Sequence, residues 1–144
     1  MQFVFAVKFR EALITPEFRD RLHQYIYTIV LNRKQKPLAV NGTADHIHVF
    51  AGLDTSCYIP DLLRDIKSDS SLFINHNKLS RKKFQWQEGY GAFSYSRSHR
   101  DRVIKYIINQ EEHHRKKTFR EEYLRLLEKM EVEYDTRYLF EFFQ

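Results

Sequence analysis

Two short stretches carry residue types that can do chemistry. The first is Asp45-His46-Ile47-His48-Val49-Phe50. Side chains alternate faces along a β-strand, so His46 and His48 project together while Ile47 and Val49 project the other way. Two imidazoles on one face can share a divalent cation; imidazole suits Mn, Fe, Co, Ni or Zn, and Mg less well. The second stretch is Tyr106-Ile107-Ile108-Asn109-Gln110. On a helix, positions i and i+4 share a face, so the Tyr106 hydroxyl and the Gln110 amide project together. Arg102 and His114 extend that row, with His113 beside it, and Val103, Ile104, Ile107 and Ile108 form the opposing apolar stripe. Each stretch alone has a plainer explanation: half-exposed strand histidines, or an amphipathic helix with a boundary tyrosine.

Together they fit one chemistry. A glutamine carbonyl oxygen and two imidazoles can hold a divalent ion with positions left open, and such an ion polarises a phosphate oxygen. A phenol titrates near about pH 10. Tyr106 is therefore a weak nucleophile unless the metal or a neighbouring cation favours its phenolate. Arg102, one turn away, is a candidate for that task or for a phosphate contact.

These residues need elements to position them. Residues 2–10 are apolar and β-rich and read as a central strand. Thr15-Pro16-Glu17 starts a helix, with Pro at the first helical position. Phe18, Leu22, Tyr25, Ile26 and Ile29 then recur at helical spacing, and Arg33, Lys34 and Lys36 close it. Residues 37–41 and 45–53 form a hairpin around Gly42-Thr43. A second helix opens at Pro60 with Ile59, Leu62, Leu63, Ile66 and Phe73 on one stripe. Strand chemistry returns at 84–86 and 93–95, broken by Gly89-Tyr90-Gly91. Ser98 and Asp101 make a capping-box-like pair for a helix to about His114, and Thr118 with Glu121 repeats it for a helix through Met130. The order β-α-β-β-α-β, followed by helices, predicts an α+β ferredoxin-like antiparallel sheet. Its two helices are expected over the Ile47/Val49 face. The imidazoles are then expected on the helix-free face, and Asp45 on the side opposite to them.

The 144 residues predict a single domain, 1–144. At 42% apolar, 30% charged and 15% aromatic, the chain excludes a disordered polymer. A net charge of +5 points to polyanionic partners. One cysteine, Cys57, excludes an internal disulfide framework and suits a reducing cytoplasm. No apolar run approaches a membrane span, and no signal peptide is apparent.

At these residues the chain resembles a known family. His46-Ile47-His48 is similar to the His-hydrophobic-His motif of the HUH endonuclease superfamily. Tyr106-x-x-x-Gln110 is similar to the motif of its single-tyrosine transposases, which small bacterial insertion sequences encode. The resemblance extends to Lys67, Ser70-Ser71, residues 84–94, His113-His114 and 119–123. It implies cleavage and rejoining of single-stranded DNA at imperfect hairpins, with Tyr106 attacking the scissile phosphate to leave a 5′-phosphotyrosine and a free 3′-hydroxyl. It implies Gln110 as third ligand beside His46 and His48, Mg or Mn as the ion, a homodimer, and a bacterial cytoplasmic location. The tyrosine of such proteins can serve its own subunit or the other one. The absence of an appended C-terminal domain favours a stand-alone insertion-sequence enzyme, active or domesticated, over the longer relatives associated with extragenic palindromes.

Candidate DNA contacts are Arg102, Arg81-Lys82-Lys83, Arg115-Lys116-Lys117 and the Arg33, Lys34, Lys36 group, each also what a solvated loop looks like. Trp86, Tyr90, Phe93 and Tyr95 could stack on unpaired bases, although aromatics in β segments usually pack in cores. Two rival functions compete with the transposase. A non-catalytic binding module would show stacking aromatics on the open sheet face. A hydrolase using activated water would want a carboxylate at the histidines. The tail from Val132 to Gln144 is aromatic and is expected to dock on the domain or on a partner copy.

Overall fold

The computed structural model describes residues 1–109, together with the helical residues Glu121 and Arg125. A four-stranded sheet runs in the order β2-β3-β1-β4, from strands β1 (Gln2–Ala6), β2 (Lys36–Gly42), β3 (His46–Gly52) and β4 (Gly91–Phe93). Helix α1 (Pro16–Asn32) joins β1 to β2, and α2 (Ile59–His76) joins β3 to β4. The paired strands are antiparallel, which makes this the ferredoxin-like arrangement, with β1 in the interior of the sheet.

Both crossover helices lie on one face. Phe18, Leu22, Ile26 and Val30 of α1, with Leu62, Leu63, Ile66 and Ile74 of α2, close over Phe3, Phe5, Ile47, Val49 and Ala51. Phe73 is only partly buried and stacks on Tyr25, with ring centroids 4.2 Å apart. The two helices end alike. Lys34 and Lys78 take left-handed backbone (φ 60° and 51°), and the amides of Gln35 and Leu79 return to the carbonyls of Val30 and Ile74.

Several boundaries differ from the expectation. The first strand stops at Ala6, and Lys8–Arg10 form a 3₁₀ turn in which Phe9 and Arg10 have positive φ. The turn leaves Arg10 beside Asp45, where Nε donates to Oδ2 at 3.2 Å. Residues 84–86 add only an isolated bridge, Trp86 to Val7, and Gly91 opens β4 instead of breaking a strand. The 84–91 connection is held by side chains of α2: the Lys67 ammonium donates to the carbonyls of Gln87 and Gly89, and Trp86 Nε1 donates to the Ser70 hydroxyl.

A third helix, α3 (Arg100–Ile108), follows a 3₁₀ turn at Arg97–His99. The Ser98–Asp101 capping pair is not formed; Ser98 bonds Ser96, whose hydroxyl also meets His99. The helix packs Val103 and Ile107 against Ala39 of β2 and Phe50 of β3. That is the face expected to carry no helix. Ile108, assigned to the apolar stripe, is 60% exposed, because only Val103 and Ile107 point squarely at the sheet. The course of that helix to His114, most of the 118–130 helix and the aromatic tail fall outside the described residues.

Candidate active site

The β1–β3 register sets the floor of the site. Val4 faces His48 and Ala6 faces His46 across the ladder, with Gln2 opposite Phe50. Directly opposed residues share a face, so Gln2, Val4, Ala6, His46, His48 and Phe50 form one surface, turned away from α1 and α2. The imidazoles lie edge to face with centroids 5.2 Å apart, and both are fully buried. Their surroundings on this face are polar as well as apolar.

Each ring is held at Nδ1 by a different kind of partner. His46 Nδ1 lies 2.7 Å from Asp45 Oδ1 and 2.9 Å from the Thr43 hydroxyl. His48 Nδ1 lies 2.8 Å from Gln2 Nε2, and Gln2 Oε1 accepts the Tyr95 hydroxyl at 2.8 Å. Partners at Nδ1 leave Nε2 as the nitrogen that a cation would use, the arrangement by which metal-binding histidines are oriented. The donor chemistry therefore fits a divalent ion. Among the described residues no group of three His, Cys, Asp or Glu side chains gathers for a metal, so a third protein donor must be of another type or come from elsewhere.

Asp45 corrects one expectation. It precedes the first residue of β3, where strand alternation has not begun, and its carboxylate swings to the histidine side. Burial alone would raise its pKa. The His46 hydrogen bond, with Arg10 and Thr43, outweighs burial and holds it below the ordinary carboxylate value. The turn before it is tight: a Cβ on Gly42 would stand 2.1 Å from the His46 carbonyl oxygen.

Helix α3 brings Tyr106 to the same place. The Tyr106 and His48 rings meet edge to face, centroids 6.0 Å apart. Asn41, which pairs with His48 across the β2–β3 ladder, donates from Nδ2 to the carbonyls of Ile107 and Ile108 at 3.0 and 2.8 Å. Those carbonyls belong to the last turn of α3, where main-chain carbonyls commonly take partners from outside the helix. Gln110, Arg115 and Lys116 lie outside the described residues, as do Lys117, His113 and His114.

The candidate DNA contacts divide. Arg102 is exposed one turn before Tyr106, and Lys83 is exposed. Lys82 and Arg81 converge on Glu11, at 2.6 and 3.8 Å, and Arg33 pairs with Asp65. Lys34 and Lys36 are exposed. The aromatics proposed as stacking platforms are used elsewhere. Trp86 packs on Phe5 and Phe84, Tyr90 on Phe3, and Tyr95 on Phe50, while Phe93 is buried. Gln2, Thr43 and Asn41 were not anticipated as site residues. Only Thr43 has a local signal, a hydroxyl two residues before Asp45; the other two act across the sheet.

Comparisons with known proteins bear on the family and the fold. The family model described as "Transposase IS200 like" matches residues 1–110. No curated protein matches the chain. A protein of Deinococcus radiodurans R1, described as a candidate transposase, superposes with a TM-score of 0.60 at 23% identity, covering 76% of this chain and 88% of that one. A REP-associated tyrosine transposase bound to a REP hairpin superposes with a TM-score of 0.53 at 16% identity, covering 75% of this chain and 63% of that one. The two structures share the fold, and the match over residues 1–110 takes in both histidines, the tyrosine and Gln110: the chain belongs to the IS200-like transposase family.

Proposed function

We propose that the chain cleaves and rejoins single-stranded DNA, with Tyr106 as nucleophile and His46, His48 and Gln110 holding a divalent ion, Mg or Mn. The observation that carries this reading is the meeting of Tyr106 with the His46/His48 pair in one chain. The ion supplies Lewis-acid polarisation of the scissile phosphate. Tyr106 Oη gives up its proton to solvent and forms a bond to phosphorus. The P–O3′ bond breaks and the leaving 3′ oxygen takes a proton from solvent, leaving a 5′-phosphotyrosine and a 3′-hydroxyl. Another 3′-hydroxyl gives its proton to solvent as it attacks phosphorus, the P–Oη bond breaks, Tyr106 is reprotonated from solvent and the strands are rejoined. His46 is aimed by Asp45 and Thr43, and α3 is seated by Asn41, so the reacting groups are preorganised by the fold.

The DNA partner proposed is a hairpin at element ends, since a structural relative is bound to a REP hairpin. Arg102 and Lys83, both exposed, are proposed as phosphate contacts. A homodimer in the bacterial cytoplasm completes the proposal; no helix among the described residues is long and apolar enough to cross a membrane. A water-activating hydrolase finds less support. The Asp45 carboxylate stands at the histidines, but its oxygens are engaged by His46, Thr43 and Arg10, which suits orientation better than proton abstraction. The test is incubation with hairpin-bearing single strands and Mg²⁺ or Mn²⁺. A protein–DNA adduct that survives a denaturing gel supports the reading, and cleavage without any adduct overturns it.

A further inference from the structure

The two imidazoles differ in what their Nδ1 partners can do. Asp45 is a carboxylate and can only accept, so it draws the proton of His46 onto Nδ1 and leaves a lone pair on Nε2. His48 has an amide instead. Gln2 presents Nε2, which can only donate, at 2.8 Å, while Tyr95 donates to Gln2 Oε1. In this arrangement His48 Nδ1 is the acceptor, and a neutral His48 carries its proton on Nε2, the atom a metal must occupy. Gln2 is fully buried in the interior strand. Burying a polar amide is costly unless its hydrogen bonds are made, and here Tyr95 and His48 make them.

We propose that Gln2 is a two-way positioning residue whose amide reverses to convert His48 between a metal-free tautomer and a metal-binding tautomer. The proposal rests on reading His46 and His48 as the metal pair. On conversion the proton on Nε2 leaves to solvent and Nδ1 takes one from solvent. The Gln2 amide turns over so that Oε1 accepts from Nδ1–H, and its NH₂ donates to the Tyr95 oxygen. The proton count is unchanged, and all three groups stay bonded in both states. Glutamine serves both states because it has a donor and an acceptor of nearly equal shape. A glutamate would serve only the metal-binding one, and a leucine neither. His46, with its carboxylate, is permanently set for the ion; His48 is the ligand with an alternative.

The test uses the full chain with ¹⁵N-labelled histidine. Two-bond ¹H–¹⁵N spectra are recorded without metal and with Zn²⁺, and Mn²⁺ affinity is measured by calorimetry, for wild type, Gln2→Glu and Gln2→Leu. The metal-free wild type should show His48 protonated at Nε2, moving to Nδ1 with Zn²⁺. Gln2→Glu should show Nδ1 protonation before any metal is added and should bind Mn²⁺ at least as tightly as wild type. Gln2→Leu should lose about 10- to 100-fold in Mn²⁺ affinity. The role of Gln2 is overturned if metal-free wild type already carries its proton on Nδ1, or if a folded Gln2→Leu binds Mn²⁺ within about twofold of wild type. Should Gln2→Leu not fold, the Gln2→Glu spectrum decides: His48 still protonated at Nε2 overturns the proposal. A wild type that takes up neither ion overturns the metal site itself, and with it the proposed function.

Discussion

Tyr106 and His48 of the same chain meet edge to face, with ring centroids 6.0 Å apart and planes at 82°. The helix that carries the tyrosine packs on its own sheet, through Val103 and Ile107 against Ala39 and Phe50. Tyr106→Phe keeps the ring and removes one oxygen. Thermal unfolding should stay within about 1 kcal/mol of wild type, the scale of one hydrogen bond. Covalent adduct and strand transfer should vanish while hairpin binding, read by gel shift, persists.

The same geometry predicts that the tyrosine serves its own histidines. Tyr106→Phe and His46→Ala chains mixed under conditions that exchange subunits should remain inactive together. A mixture that regains a substantial part of wild-type cleavage would show a tyrosine serving the partner's histidines, contrary to the arrangement seen.

Asn41→Ala should loosen α3 without touching the histidines. It removes two hydrogen bonds to the last carbonyls of the helix, each worth roughly 0.5–1.5 kcal/mol. Amide exchange should speed up in α3 and stay slow in β1 and β3. Cleavage should fall more than Mn²⁺ affinity, because His46 and His48 stay seated and only Gln110, which follows α3 in sequence, is loosened among the proposed ligands.

Gly42→Ala should disturb the metal pair from the backbone. The added methyl would overlap the His46 carbonyl oxygen, so the turn must open where β3 begins. Overpacking of this kind costs about 1–3 kcal/mol, and denaturant unfolding should show it. Mn²⁺ affinity should fall as well, because His46 is the residue displaced.

Stability should fall in acid for a reason remote from the site. Burial holds the His23 imidazole down at about 4; Asp20 pulls it up and Arg19 pushes it down. Its Nε2 is buried without a hydrogen-bond partner. An unfolded histidine titrates near about 6.5, so the unfolded chain takes the proton first as pH falls. The contribution is intact above about pH 6.5, declines toward pH 4 and levels off below, a total of about 3 kcal/mol. His23→Leu should flatten urea midpoints across that window. Asp45, held below its ordinary value, adds a further loss only at lower pH.

Much of this arrangement was legible from local rules. Period-two alternation placed His46 and His48 together, and helical spacing identified Leu22, Ile26, Leu62, Leu63 and Ile66 as core. The order of elements was enough for the sheet topology. What escaped was non-local or lay at element ends. Gln2 reaches His48 across 46 positions, and Asn41 reaches Ile107 across 66, so neither contact has a spacing to read. Asp45 sits one residue before the strand begins, where alternation says nothing about its direction. The apolar start of the chain reads on past Ala6, yet after a last bond in the β1–β3 register, from Val7 to Asp45, the backbone turns: Lys8 bonds Gln85 and the Arg10 amide closes back on the Val7 carbonyl.

The clip between Asn41 and the end of α3 also decides where the chain can change length. Between Ser96 and Arg100 an inserted or deleted residue falls in a turn, and Asn41 still seats the carbonyls of Ile107 and Ile108 where they are. One residue inserted between Tyr106 and Ile107 leaves the helix end seated and rotates the tyrosine by ~100° about the axis. Drift in loop length can therefore accumulate ahead of the helix, whereas the spacing from Tyr106 to Ile107 admits none.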